Sequence, residues 1–391
     1  MTRLGAGPSR RPRVVYWNNI PAPYVVGRFN AVARRGNLDF EAWFSSRTEP
    51  DRSWTVDESS WEFRSRYLPR ITIGSWAAVL PTGLLARARP DLLVSLYSNP
   101  SFLAGWELAR LANVRTAFRV LPTFDEWVPR HPIKERLKRF AFSRVDAVKV
   151  PGPAGASMAA RYGVPPGRIH VVTQSIDIEL YRCGRDRWWP EREAIRADLG
   201  ATGCTFLYVG RLWEGKGVSH LLTAFEAVLE AGVDATLLLA GDGVDEQLYR
   251  SIAAGPQFRG RVVFAGFIQQ SSLSRIHTAA DALVFPTLGD PHGLVVEEAM
   301  ASRLPVVVTT AAGDIEARLP DGEAGFIVPP ADPQALADRM NRLAHHPELR
   351  RRMGDRGADL VSGRTHERYA EDFERFVERV LDTPRRRASR R

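Results

Sequence analysis

Residues 290–300 read DPHGLVVEEAM, and this stretch decides the fold. An apolar run at 282–285 precedes it and predicts a buried strand. Pro286, Gly289, Pro291 and Gly293 then interrupt regular structure, and a helix is expected from about Leu294. Asp290 lies before that helix and Glu298 within its early turns, with seven residues between them. Both carboxylates can then face one crevice at the strand's carboxyl end. The N–H groups of Gly293, Leu294 and Val295 would point into the same crevice, where they favour negative charge.

Upstream, a strand at 205–209 runs into GRLWEGKG at 210–217 and then a helix. Gly210 lets the chain turn sharply beside a ligand. Arg211 and Lys216 bring a forked donor and a point charge to a helix start, which suits a diphosphate. An ordinary βα loop with two surface cations is the simpler alternative. The strand at 235–240 ends in a glycine-rich turn at Gly241, which suits either a nucleotide contact or a plain tight turn. Gly266 and Phe267 close a further strand at 262–265.

Taken in order, these motifs resemble the retaining GT-B glycosyltransferases of family 4. The usual pattern there is Glu-x-Phe-Gly-Leu-x-x-x-Glu-Ala-Met. Gly293, Leu294, Glu298, Ala299 and Met300 match it, while Asp290 replaces the first Glu and His292 replaces the Phe. The resemblance implies two Rossmann-like α/β domains facing across a cleft, with a C-terminal helix crossing back onto the first. It implies that Gly210, Arg211, Lys216, Gly241, Gly266, Phe267, Asp290, Gly293, Leu294, Val295 and Glu298 bind the donor. Arg211, Lys216 and Asp290 would be catalytic. Glu298 would hold the ribose and Asp290 the donor sugar; His292 reads as a solvated loop group. The donor would be a UDP- or GDP-linked sugar, with no resident cofactor and no metal. Asp177 is the strict match to the family's linker motif at 173–177.

Strands expected at 13–17, 38–44, 91–95, 114–120, 147–150 and 169–172 alternate with helices at 25–35 and 100–111. A second alternation begins at 204. The resemblance therefore divides the chain into an acceptor-side domain at 13–175, a donor domain at 176–365 and a crossover helix at 366–381. Residues 185–190, with two tryptophans and a proline, read as an irregular hinge-side loop. The acceptor side has Tyr24, Thr123 and Asp125 as its candidates, and it lacks the His that many relatives carry there. A basic stretch downstream holds His131, Lys134, Arg136, Lys138 and Arg139.

Composition excludes several classes. The formal charge is +9, but Arg3, Arg10 and Arg11 lie in an acid-free leader and five arginines in an acid-free tail. Without those eight the body carries +1, so no nucleic-acid face is implied. The ends, 1–12 and 382–391, read as disordered tails. Two cysteines cannot frame a disulfide scaffold, and the leader has no apolar signal core, so a cytoplasmic chain is expected. The longest uncharged run, 71–86, is interrupted by Gly74, Pro81 and Gly83 and reads as a buried helix pair. Peripheral contact with the inner face of a membrane and a lipid-linked acceptor stay open. No Gly-x-Gly-x-x-Gly follows the first strand, which disfavours a dinucleotide enzyme. The remaining rivals are a nucleotide-sugar epimerase of the same fold and a GT-B subunit that binds without catalysing.

Overall fold

The computed structural model describes residues 10–49, 54–73, 76–79, 81, 83–121 and 132–384. Thr123, Asp125 and His131 lie outside the described residues, as do Arg3 and the five arginines from Arg385 onward. The chain divides into two units. One comprises Met1–Val120, Arg130–Thr173 and His366–Arg391; the other comprises Leu121–Pro129 and Gln174–Thr365.

The first unit carries β1 (Arg13–Asn18), β2 (Asp39–Phe44), β3 (Arg64–Tyr67), β4 (Arg70–Ile73), β5 (Trp76–Val79), β6 (Leu92–Ser95), β7 (Arg115–Arg119), β8 (Ala147–Val150) and β9 (Ile169–Val171). Seven of these form one parallel sheet, ordered β3-β2-β1-β6-β7-β8-β9. The order reverses between β1 and β6. Most of these strands are apolar on both faces, as a parallel sheet covered by helices requires. β4 and β5 pair antiparallel. Among the described residues, the run at 71–86 is thus mainly paired strand and not the expected helix pair; of them only those in Leu84–Ala88 are helical. Arg10 also departs from the reading of a floppy leader, since it forms a two-pronged bond to Asp91.

The last helix, His366–Asp382, closes the first unit. Tyr369, Phe373, Phe376, Val377 and Val380 are buried and form one core with Tyr16, Phe29 and Phe40. Their spacing is that of a helix with one apolar face. Phe373 sits centrally, 5.8 Å from the Tyr16 ring and 6.2 Å from Phe40. The first sheet therefore takes part of its cover from the far end of the chain.

The second unit carries β10 (Cys204–Val209), β11 (Ala235–Ala240), β12 (Val262–Gly266), β13 (Ala282–Phe285), β14 (Val306–Thr309) and β15 (Gly325–Val328). All are parallel, in the order β12-β11-β10-β13-β14-β15. The chain begins in the middle, builds outward to β12, then returns to the other side of β10. Loops leaving β10 and β13 diverge there, which opens a crevice beyond the strand ends. Both units are α/β and Rossmann-like, as expected. Residues 185–191 are not irregular. The helix Ile178–Trp188 runs through them into a single 3-10 turn, with Pro190 at its start, where a missing N–H costs nothing.

The core argument gives a direct test. Phe373→Ala removes a fully buried ring shared by sheet and helix, and unfolding in urea should show a loss of about 3–5 kcal/mol. A loss under about 1 kcal/mol would mean the last helix is dispensable for the first unit.

Candidate functional site

The candidate residues of the second unit gather at the carboxyl ends of β10, β11, β12 and β13. The loops after β10 and β13 are tied to each other: the Leu288 N–H donates to the Gly215 carbonyl at 3.1 Å, and the Thr287 hydroxyl donates to the same oxygen at 3.4 Å. Gly210, Gly241 and Gly266 step across three neighbouring strand ends. The Gly210 N–H donates to Ala240 at 3.0 Å, and the Gly241 N–H donates to Gly266 at 2.8 Å. Gly241 has φ 146°, and a Cβ there would fall 1.8 Å from the Gly210 carbonyl oxygen. Only glycine allows these loops to stack so closely. Phe267 follows, half-buried.

Lys216 and Asp290 meet across the point where the strand order reverses. Their Nζ and Oδ2 atoms are 2.5 Å apart. Asp290 also accepts from the His292 N–H at 2.8 Å. Burial pushes the Asp290 carboxyl up, but the Lys216 ammonium and the His292 and Gly293 N–H groups outweigh it and hold it below the ordinary range. Its backbone is fixed too, by a one-residue parallel bridge to Ala312. Arg211 reaches the same corner. Its guanidinium packs 5.4 Å from the Trp213 ring, and its carbonyl accepts from the Tyr208 hydroxyl at 2.7 Å. Burial raises that hydroxyl well above its ordinary value, and Tyr249 and Asp290 add to this while Arg211 opposes it.

The helix Leu294–Ala301 opens at Gly293, which has φ 72° and no side-chain cap. A Cβ on Gly293 would press 2.7 Å from the Phe285 ring. Leu294 is half-buried and Val295 buried in the first turn. This uncapped start leaves N–H groups to favour an anion. Glu298 follows one turn on and is buried. Its neighbour is Tyr181, whose hydroxyl is raised well above its ordinary value by burial and then by the Glu298 charge. Beneath it the Ser302 hydroxyl donates to the Glu298 carbonyl at 3.0 Å. Ser302 thus has only its lone pairs for His277 Nδ1, 2.9 Å away, so Nδ1 carries the ring proton. Burial pulls His277 down to about 4, so the ring is neutral at neutral pH.

One sequence reading changes here. His292 is not solvated; it is buried, with Nε2 3.1 Å from Glu297. Glu297 in turn is 3.0 Å from Arg318 and 3.6 Å from Arg364. Burial raises its carboxyl, but Arg318, His292 and Arg364 overcome this and hold it well below the usual glutamate range. This cluster holds the loop before the helix, since Arg318 also donates to the carbonyls of His292 and Gly313. Tyr181 and Arg318 were not singled out from the sequence. Each reaches the site from another element, which spacing alone does not reveal. Asp177 caps the helix that carries Tyr181, accepting from Leu180 N at 3.0 Å. In the first unit, Tyr24 lies edge-on to Trp54, with Arg28 5.2 Å from its ring.

Residues 203–346 match the family model described as Glycosyl transferases group 1, and residues 46–173 match one described as Glycosyl transferase 4-like domain. The chain is 30% identical over 316 residues to the alpha-D-kanosaminyltransferase of Streptomyces kanamyceticus, covering 80% of this chain and 79% of that protein. It is 32% identical over 202 residues to the D-inositol 3-phosphate glycosyltransferase of Corynebacterium glutamicum, spanning about half of each, 50% and 47%. Among solved structures, the fold is similar to sucrose-phosphate synthase from Thermosynechococcus elongatus, with TM-score 0.75, 21% identity and coverage of 95% and 99%. It is equally similar to the Anabaena protein HepE in complex with UDP-glucose, with TM-score 0.75, 17% identity and coverage of 95% and 100%.

The Glu297 cluster predicts a pH signature. Its folded pKa is depressed, so its contribution is complete above the unfolded value of about 4.3 and is lost as pH falls below it. Glu297→Gln leaves Arg318 buried without a counter-charge, and should cost about 3–5 kcal/mol at pH 7. Its stability should also fall less steeply than the parent's from pH 5 to pH 3. Parallel curves in chemical denaturation would remove the structural role assigned to Glu297.

Proposed function

This chain belongs to the glycosyl transferases group 1 family, and we propose that it moves a sugar from a nucleotide diphosphate donor to an acceptor hydroxyl with retention of anomeric configuration. It is a glycosyltransferase with two Rossmann-like domains of the GT-B kind. The observation that carries the finer reading is the Lys216–Asp290 pair across the strand-order reversal, beside Arg211 and an uncapped helix start. This arrangement offers two cations and free N–H groups to a diphosphate, with a carboxylate beside it for sugar hydroxyls. Glu298 would accept from the ribose hydroxyls. The donor sugar is carried on UDP or GDP. The UDP and UDP-glucose held by the Anabaena HepE structures support the former.

In the proposed step, the bond from the anomeric carbon to the diphosphate oxygen breaks and a bond to the acceptor oxygen forms on the same face. The acceptor proton passes to the leaving diphosphate. Charge grows on that diphosphate as its bond breaks, so donors aimed there stabilise the transition state more than the ground state. Arg211, Lys216 and the N–H groups at Leu294 and Val295 fill that role without a metal. The acceptor is a glycolipid, polysaccharide or secondary-metabolite precursor.

A second partner is favoured by the helix Pro132–Arg144 of the first unit. Ile133, Leu137 and Phe140, spaced as one helical stripe, are 63%, 52% and 46% exposed among Lys134, Arg136, Lys138 and Arg139. We propose that this face touches an anionic lipid surface, where both its apolar and basic groups are satisfied. No helix among the described residues is long and apolar enough to cross a membrane.

Two experiments follow. With a panel of UDP-, GDP- and ADP-sugars, Arg211→Ala and Lys216→Ala should each lower kcat/KM on the order of a hundredfold or more, and the parent should keep full activity in excess chelator. Unchanged kinetics in both variants would remove the diphosphate assignment, a strict metal need would remove the charge argument, and release of an epimer without acceptor would favour an epimerase. Vesicles containing phosphatidylglycerol should co-sediment the parent but not an Ile133→Ser, Leu137→Ser, Phe140→Ser variant. Equal sedimentation would discard the lipid contact.

A further inference from the structure

The second unit carries a cavity at the end of its sheet opposite the donor residues. It has a volume of about 440 Å³, and Arg192, Arg196, Cys204, Asp281 and Arg350 are among its walls. Cys204 opens β10, and Asp281 stands just before β13. The residues proposed for the donor follow the other ends of these same strands. The 6 residues of β10 lie between the two places, roughly 20 Å of extended chain. The volume falls within the usual range of small-molecule pockets, roughly 300–1,000 Å³.

Three guanidinium groups converge there on one carboxylate. Arg192 Nη2 lies 2.9 Å from Asp281 Oδ1, and Arg196 Nη1 lies 3.2 Å from Oδ2. Oδ2 also accepts from the Thr205 N–H at 2.9 Å. Arg350 Nη2 is left 3.8 Å from Oδ1, too far for a hydrogen bond. Arg192 and Arg196 stand one turn apart on the helix Arg192–Asp198, so one face presents both. Arg350 comes from the helix Pro347–Val361. None of the three arginine side chains is more than 19% exposed.

Part of this donor set is structural. Arg192 and Arg196 donate to the carbonyls of Thr278, Ala279 and Ala280, where the helix Gln270–Ala279 ends. Arg350 Nη1 donates to Leu343 and Ala344, where the helix Pro333–His345 ends. Cations suit such carbonyl-rich ends. One edge is left over: among the described residues, Nε and Nη2 of Arg350 make no hydrogen bond. Charge is left over as well. Two further carboxylates belong to the cavity, and both are solvated. Glu193 is 3.1 Å from Arg192 and 81% exposed; Asp234 is 66% exposed and tied to Arg261 at 2.9 Å. The three arginines thus share Asp281 and the solvated Glu193, one negative charge short of balance.

An anion completes the set. The Nε–Nη2 edge of an arginine fits two oxygens of one oxyanion. We propose that this cavity binds a phosphate-type oxyanion, either free or carried on a small molecule, with Arg350 as the main donor and Arg192 beside it. The site shares no residue with the donor site, so either can fail without the other.

The test follows the melting temperature of the full chain against inorganic phosphate, and separately against glycerol phosphate, at constant ionic strength. A saturable rise with at least one of them is expected. Arg350→Gln removes a charged fork, and the affinity should fall at least about tenfold. Arg192→Gln should weaken binding in the same sense, and serves if Arg350→Gln does not fold. Arg211→Ala, at the other end of the sheet, should leave the affinity within about twofold. A response to glycerol phosphate identifies a phosphoryl group on a larger molecule; a response to phosphate alone identifies the free ion. No saturable response in the parent, an equal response in the Arg350 and Arg192 variants, or a response lost only with Arg211→Ala overturns the site.

Discussion

The ion pair between Lys216 and Asp290 is the interaction on which the second unit's site depends. It joins the loops that leave two adjacent strands in opposite directions, and so spans the natural crevice of an open parallel sheet. A buried pair is a poor source of stability unless its remaining hydrogen bonds are met. Here Asp290 also takes the His292 N–H, and its backbone bridges Ala312. The pair therefore fixes position more than it adds stability. In the proposed reaction the diphosphate shares the Lys216 charge, and Asp290 turns toward the sugar.

Behind that pair lies a support that does no chemistry. Glu297, His292 and Arg318 form a buried ionic cluster that holds the loop between β13 and its helix. Ser302 and His277 fix the backbone one turn below Glu298. The two adjacent glutamates thus have different tasks: Glu297 is locked among cations, and Glu298 faces Tyr181.

Much of this was legible because the strands are buried on both faces. The runs at 235–240 and 282–285 contain hardly a polar residue, so strand and helix alternate visibly. The cations Arg211 and Lys216 stand in a glycine-rich loop, where charge has few structural uses. The pairing of Lys216 with Asp290 was not legible, because it needs β10 beside β13, a matter of strand order. His292 was misread for a similar reason: its burial depends on Arg318 and on the cluster around Glu297, set by the fold and not by local sequence. Residues 185–190 were misread because a proline and two tryptophans look irregular, yet the proline begins a turn.

The central claim is that Arg211, Lys216 and Glu298 serve one nucleotide diphosphate. A crystal structure with UDP or GDP bound tests it most directly. The account predicts the diphosphate within hydrogen-bond reach of Arg211 and Lys216, the ribose hydroxyls on Glu298, and the nucleobase against the Gly241 and Gly266 backbone. A nucleotide bound in the second unit away from Lys216 and Glu298, with the Lys216–Asp290 pair untouched, would contradict it.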